Sequence, residues 1–201
     1  LIIKFRERQL QHEKEVLEEK VRERTREIEK QKEEIELQRN KIIKINNEIT
    51  DSIRYAKRIQ AAALPSDYIE PSYKLKTFVY YKPKDIVSGD FYWIKQKNDI
   101  AMIAAADCTG HGVPGGFLSM LGISFLNELA AIEQKLTAAE YLNMLRVKVK
   151  TTLSSKMEDI ESKDGMDIAF CIVDVKNKKL QYAGANSPIY LVRQNELIQY
   201  D

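Results

Sequence analysis

At 201 residues the chain has room for one domain plus an extension. Charged residues make up 31% of it, above the usual quarter, so one segment must be unusually polar. A net charge of +2 argues against a nucleic-acid-binding chain, and neither a signal peptide nor a run of about 18 apolar residues is visible. Cys108 and Cys171 lack metal-pair spacing and read as free thiols in a reducing, cytoplasmic setting. Leu1-Ile2-Ile3 followed by Lys4, Phe5 and Arg6 has the composition of a cut membrane span with its basic flank, so a tether preceding Leu1 is a further expectation.

Residues 1–63 carry most of the excess charge and contain no Gly or Pro, so nothing interrupts a helix. Val21, Ile28, Ile35, Ile42, Ile49, Ala56 and Ala63 recur every seventh residue. A second track, four residues before each, reads Leu17, Arg24, Gln31, Gln38, Ile45, Ser52 and Ile59. These are heptad a and d positions, and they predict a long left-handed coiled coil. Isoleucine and valine at a favour two parallel strands, hence a homodimer. The helix would run roughly 90 Å at 1.5 Å per residue. Arg24, Gln31 and Gln38 put polar groups at d, either to fix register or to leave a marginal coil able to transmit a signal. Pro65 stops the helix, and residues 64–73, with Pro71 near their end, read as a linker.

The remaining residues, 74–201, read as an α+β domain. Tyr73 to Tyr81 and Val87 to Ile94 are rich in β-formers and predict two strands, with Lys82 to Asp85 turning between them. Ile100 to Ala106 is continuously apolar and predicts a buried strand. A turn containing Gly110, Gly112, Gly115 and Gly116 follows, and Pro114 suits the start of a helix reaching Ala131. Thr137-Ala138-Ala139-Glu140 is a capping box opening a second helix to about Leu153. Ser154 to Gly165 reads as a polar loop. Asp167–Val175, Lys179–Gly184, Ser187–Arg193 and Glu196–Tyr200 predict four strands, with turns at Asn177-Lys178 and Gln194-Asn195. Strands, two helices and strands again suggest helices packed on antiparallel sheet. The chain stops while still in β-pattern, so an unfinished domain is expected.

Asp90, Asp107 and Asp167 each sit at the edge of an apolar β-run. Carboxylates gathered at sheet ends are what a hard cation requires, although each alone reads as an ordinary turn residue. Asp107-Cys108-Thr109-Gly110-His111-Gly112-Val113-Pro114 resembles the signature of the SpoIIE-type serine/threonine phosphatases, a bacterial branch of the metal-dependent PPM phosphatases. Three further stretches resemble family motifs in the same order. They are Ala56-Lys57-Arg58-Ile59-Gln60 through Leu64-Pro65 (the switch-helix entry, near 52–64), Val87-Ser88-Gly89-Asp90-Phe91-Tyr92, and Gly165-Met166-Asp167 with Tyr182-Ala183-Gly184-Ala185-Asn186-Ser187-Pro188.

The resemblance implies a PPM-type β-sandwich flanked by helices, and two divalent cations, Mn²⁺ or Mg²⁺, that activate a water. It implies Asp107 as the bridging ligand, the Cys108 carbonyl beside it, and Asp90 and Asp167 as further carboxylates. Gly89, Gly110 and Gly112 would shape the loop, and Ile59, Gln60 and Ala63 would carry regulation from the coil. The implied substrate is a phosphorylated signalling protein such as the STAS-type anti-sigma-factor antagonists. Ser88 stands where the family usually has glycine. His111 lies four residues after Asp107, not two, and so reads as loop-structuring. Cys108 reads as a buried strand-end side chain and not a nucleophile. The family's further metal-binding Asp would lie beyond Tyr200. The alternative expectation is a scaffold that binds a phosphoprotein without hydrolysing it.

Overall fold

The computed structural model describes residues 2–65, 75–154 and 164–200. The linker and the polar loop expected at 154–165 lie almost wholly outside these residues. Helix α1 spans Ile2–Ala63 and ends just before Pro65, as a missing N–H and a blocked preceding residue dictate. Two compact units divide the chain, Leu1–Asp51 and Ser52–Asp201. The last turns of α1, from Ser52, therefore group with the second unit, whereas the sequence pattern places them with the coil. In the first unit, the heptad residues Leu10, Leu17, Val21, Ile28, Ile35, Ile42, Ile45 and Ile49 are all exposed.

The second unit is built on a four-stranded antiparallel sheet in the order β1-β2-β3-β4: Phe91–Lys97, Ile100–Cys108, Met166–Asp174 and Lys179–Ala185. Helices α2 (Gly112–Ala130) and α3 (Ala138–Ser154) supply the apolar cover for it. Alternation decides which strand residues meet them. Phe91 and Trp93, then Met102, Ala104, Ala106 and Cys108, then Ile168, Phe170 and Ile172 are buried. Leu118, Ile123, Leu126 and Leu129 of α2, with Tyr141, Leu145 and Val149 of α3, complete this core. Phe170 lies at its centre, 6.3 Å from the Trp93 ring and 5.1 Å from that of Tyr141. The Trp93 indole N–H donates to Asn127 Oδ1 at 3.0 Å, so burying the ring leaves no orphan donor.

The capping box forms as expected. The Thr137 backbone N–H donates to Glu140 Oε2 at 2.7 Å, and the Glu140 N–H donates to Thr137 Oγ1 at 3.3 Å. The Thr137 N–H and its hydroxyl, both donating to Glu140 Oε2, hold the Glu140 carboxyl below its ordinary range. Hairpin β5–β6, Ile189–Arg193 and Glu196–Tyr200, forms a separate two-stranded sheet whose turn places Gln194 and Asn195 at positive φ.

Two expectations need correction. The strand expected over residues 73–81 does not form among its described residues, 75–81. The strand expected from Val87 begins only at Phe91: residues 84–87 bend, and the Ser88 N–H is taken by a side chain. Cys171 is half-buried on the sheet face away from the helices. In addition, α2 is long and apolar enough by composition to cross a membrane, yet half of that window is buried inside the domain. The fold is thus mixed helix and antiparallel sheet in two unequal sheets, in keeping with the expected unfinished PPM-type sandwich flanked by helices.

Candidate active site

The register of the sheet brings the three aspartates together. Phe91 pairs with Ala106, which places Asp90 at the next position, opposite Asp107, and Asp107 pairs directly with Asp167. Directly opposed residues of an antiparallel pair share a face. Asp107 and Asp167 thus extend from the face away from the helices, and the Asp90 carboxyl feels that of Asp107 beside it. Burial first, then the Asp107 carboxyl and its charge, push the Asp90 carboxyl above its ordinary value. Two carboxylates held this close, with only oxygen donors, suit a hard cation.

The set is nevertheless incomplete as a cage: among the described residues, no three His, Cys, Asp or Glu side chains stand grouped to hold an ion. Asp167 is the outlier, since its Oδ1 accepts from Asn186 Nδ2 at 3.1 Å. Asp90 and Asp107 open onto a depression of about 590 Å³, also lined by Phe78, Tyr80, Tyr81 and Tyr92.

The glycine turn is built as its residues require. Gly110 and Gly112 have φ of 83° and 63°, a left-handed backbone that side chains resist. Gly89 and Gly115 serve a different need, close approach. A Cβ on Gly89 would stand 2.9 Å from the Gly110 carbonyl oxygen and 3.1 Å from that of Cys108. A Cβ on Gly115 would meet the Gly110 oxygen at 2.5 Å. Gly115→Ala is therefore expected to displace the turn and to destabilise the fold by about 1–3 kcal/mol, as overpacking does. Denaturant midpoints measure this, and an unshifted midpoint would show that the turn yields freely.

His111 caps α2 without a side-chain cap bond. Its Nδ1 instead lies 2.9 Å from Asp85 Oδ2, tethering the turn to the bend before β1. That agrees with a loop-structuring histidine and adds Asp85, which nothing in its Pro83-Lys84-Asp85 context singled out. Thr109 ties the other side: its N–H donates to the Gly165 carbonyl at 2.9 Å, and the Gly165 N–H donates to Thr109 Oγ1 at 3.0 Å. Cys108 is buried, and its thiol is pushed up to about 12, by desolvation first and then by the Asp107 and Asp90 charges. It is no nucleophile at neutral pH.

Gln60, at the end of α1, reaches the same site. Its side chain is buried, with 6% of the residue exposed. Oε1 accepts the Ser88 N–H at 3.0 Å, while Nε2 donates to the Ser88 carbonyl at 2.7 Å and to Ser119 Oγ at 2.8 Å. The amide thus takes both backbone groups of Ser88 as a neighbouring strand would. Ser88 Oγ in turn accepts the Asp90 N–H at 3.0 Å, so the serine in place of the usual glycine links Gln60 to the backbone of Asp90. Ser119 was missed in the sequence, although a hydroxyl on the apolar face of α2 was a usable signal. Ile59 lies half exposed in an apolar groove with Ala56, Val87, Val113, Phe117 and Met120, and Ala63 is half-buried.

Comparison with known proteins gives a consistent picture. The family model for Stage II sporulation protein E (SpoIIE) matches residues 97–200. Among solved structures, the SiaA-PP2C domain of Pseudomonas aeruginosa is 28% identical, with a TM-score of 0.64. The match covers 78% of this chain and 61% of that one, so this chain spans less than two thirds of its neighbour. No curated protein matches.

Proposed function

Since the chain belongs to the SpoIIE family of PPM-type phosphatases, we propose that it is a regulated protein phosphatase acting on phosphoserine or phosphothreonine of a signalling protein. The observation that carries this is the row of Asp90, Asp107 and Asp167 across β1, β2 and β3 beside the glycine turn. Asp90 and Asp107, with Asp167 and the Cys108 carbonyl, would hold two divalent cations, Mn²⁺ or Mg²⁺. Such ions, when bound, supply an activated water and offset phosphate charge.

The chain's own residues do the positioning. Gly110 and Gly112 turn the backbone, the Asp85–His111 and Thr109–Gly165 contacts fix both flanks of the turn, and Gln60 holds Ser88 and hence Asp90. Control passes through residues 52–63, and the heptads upstream pair two copies of the chain. The substrate fits a phosphorylated STAS-type antagonist of an anti-sigma factor.

One observation favours a second reading, a phosphoprotein-binding scaffold: Asp167 is engaged by Asn186, and no three-ligand cage is assembled among the described residues. Metal removal separates the two. Hydrolysis of a generic phosphate ester is expected to require Mn²⁺, to stop on chelation and to return when Mn²⁺ is restored. Retention of a phosphopeptide with no metal-dependent turnover would favour the scaffold.

A further inference from the structure

The row of polar residues across the sheet end does not stop at Asp167. The last pair between β3 and β4 joins Ile168 to Ala185, so the next position along puts Asn186 opposite Asp167. The order across the sheet end is therefore Asp90, Asp107, Asp167, Asn186. The ladder ends there because Asn186 has φ of 52°, a left-handed backbone that asparagine tolerates better than most residues. Its Nδ2 donates to Asp167 Oδ1 at 3.1 Å. An ionised carboxylate only accepts, so the end of the amide that faces it must be the nitrogen.

The turn that presents this amide is braced. The Tyr182 hydroxyl donates to the carbonyl of Ser187, the residue after Asn186. The ring reaches it by lying over Gly184: a Cβ there would stand 2.6 Å from the Ser187 oxygen and 2.9 Å from the ring carbon that carries the hydroxyl. Ser187 also lines the depression onto which Asp90 and Asp107 open, so the braced turn borders the candidate site. Asparagine suits the place chemically. It donates a hydrogen bond without carrying positive charge, and so steadies a carboxylate without competing with a cation for it.

We propose that Asn186 is a positioning residue for the metal site, holding Oδ1 of Asp167 so that Oδ2 is the oxygen offered to a divalent cation. The contact that sets Asp167 apart from Asp90 and Asp107 then aligns the carboxylate for binding. Hydrogen bonds that orient a metal ligand in this way are typically worth about 10–100-fold in metal affinity. This inference rests on the functional reading in which Asp167 holds a cation, and its test separates the two.

The test uses the full 201-residue chain and follows Mn²⁺ binding by the loss of the free ion's paramagnetic resonance signal, which needs no turnover. Asn186→Gly keeps a backbone suited to positive φ and deletes only the side chain. It is expected to weaken Mn²⁺ binding about ten-fold or more, while melts of the chelator-treated chain stay near the parental midpoint. Asp167→Ala is expected to weaken binding at least as much. Added to Asp167→Ala, the Asn186→Gly change is expected to cost nothing further, because Asn186 acts through Asp167. Unchanged affinity in Asn186→Gly, with Asp167→Ala impaired, would overturn the proposal and leave the functional reading standing. A further loss in the double variant would overturn it too, since Asn186 would then act by another route. Parental affinity in Asp167→Ala would sink the ligand role of Asp167 and this inference with it.

Discussion

Asp107→Asn is expected to lower metal-dependent turnover by at least about a hundred-fold while making the metal-free fold more stable above pH 4. The loss should exceed the 10–100-fold typical of residues that merely support a ligand, because Asp107 sits in the middle of the carboxylate row. The gain has a separate cause. In the metal-free chain the Asp90 carboxyl is raised above its ordinary 3.8, by burial and then by Asp107. Between that value and the raised one, the folded chain holds a proton that the unfolded chain releases. The stabilising contribution is therefore fully present below pH 3.8 and is lost as pH rises through the folded value. An asparagine amide can donate to the Asp90 carboxylate and carries no charge, so the part of the loss owed to Asp107 should disappear while the larger part, owed to burial, remains. Thermal melts of chelator-treated protein from pH 3.5 to 7 measure the slope, and phosphate release with Mn²⁺ measures the rate. Turnover at the parental rate would sink the metal mechanism. Identical melts would show that Asp90 and Asp107 do not interact.

Gln60→Ala carries the second large effect. It removes both contacts to the Ser88 backbone and one to Ser119, and it leaves a buried N–H without an acceptor. The cost in stability is about 1–3 kcal/mol, the usual range for orphaning a buried polar group. Because Ser88 Oγ receives the Asp90 N–H, the loss should also appear as weaker Mn²⁺ binding, by roughly ten-fold, the scale seen when a supporting residue is removed. Gln60→Glu would bury a carboxylate with one oxygen against the Ser88 carbonyl, so it should be at least as destabilising as the alanine variant. Titration of Mn²⁺ alongside denaturant melts separates the two roles. Lower stability with unchanged Mn²⁺ affinity would make Gln60 a packing residue and remove the support for control through residues 52–63.

The elements legible in the sequence are those set by local period and turn chemistry. Heptad spacing with no Gly or Pro gave the helix to Ala63, the Thr137–Glu140 box gave the start of α3, and Gln194-Asn195 gave the last hairpin. Residues 75–81 show the limit: their composition is β-forming, yet they form no strand, because sheet formation depends on tertiary surroundings more than on composition. The same limit governs the site. Each aspartate was visible as an acidic residue at a strand edge, and the family motif named all three. Their adjacency is a matter of register, since a one-residue slip between β2 and β3 would turn Asp167 to the other face of the sheet.

By itself, then, the sequence determined the helical arm, the order of elements and the residue types at the site, because these follow from backbone periodicity and from side-chain chemistry at fixed spacing. Tertiary structure alone decided that Gln60 bonds Ser88 across 28 positions, that Asp85 holds His111 across 26, and that Asn186 donates to Asp167 across 19. Such contacts form between elements remote in the chain. No local propensity encodes them; packing of the helices on the sheet brings the groups within reach, and burial then makes leaving them unpaired costly.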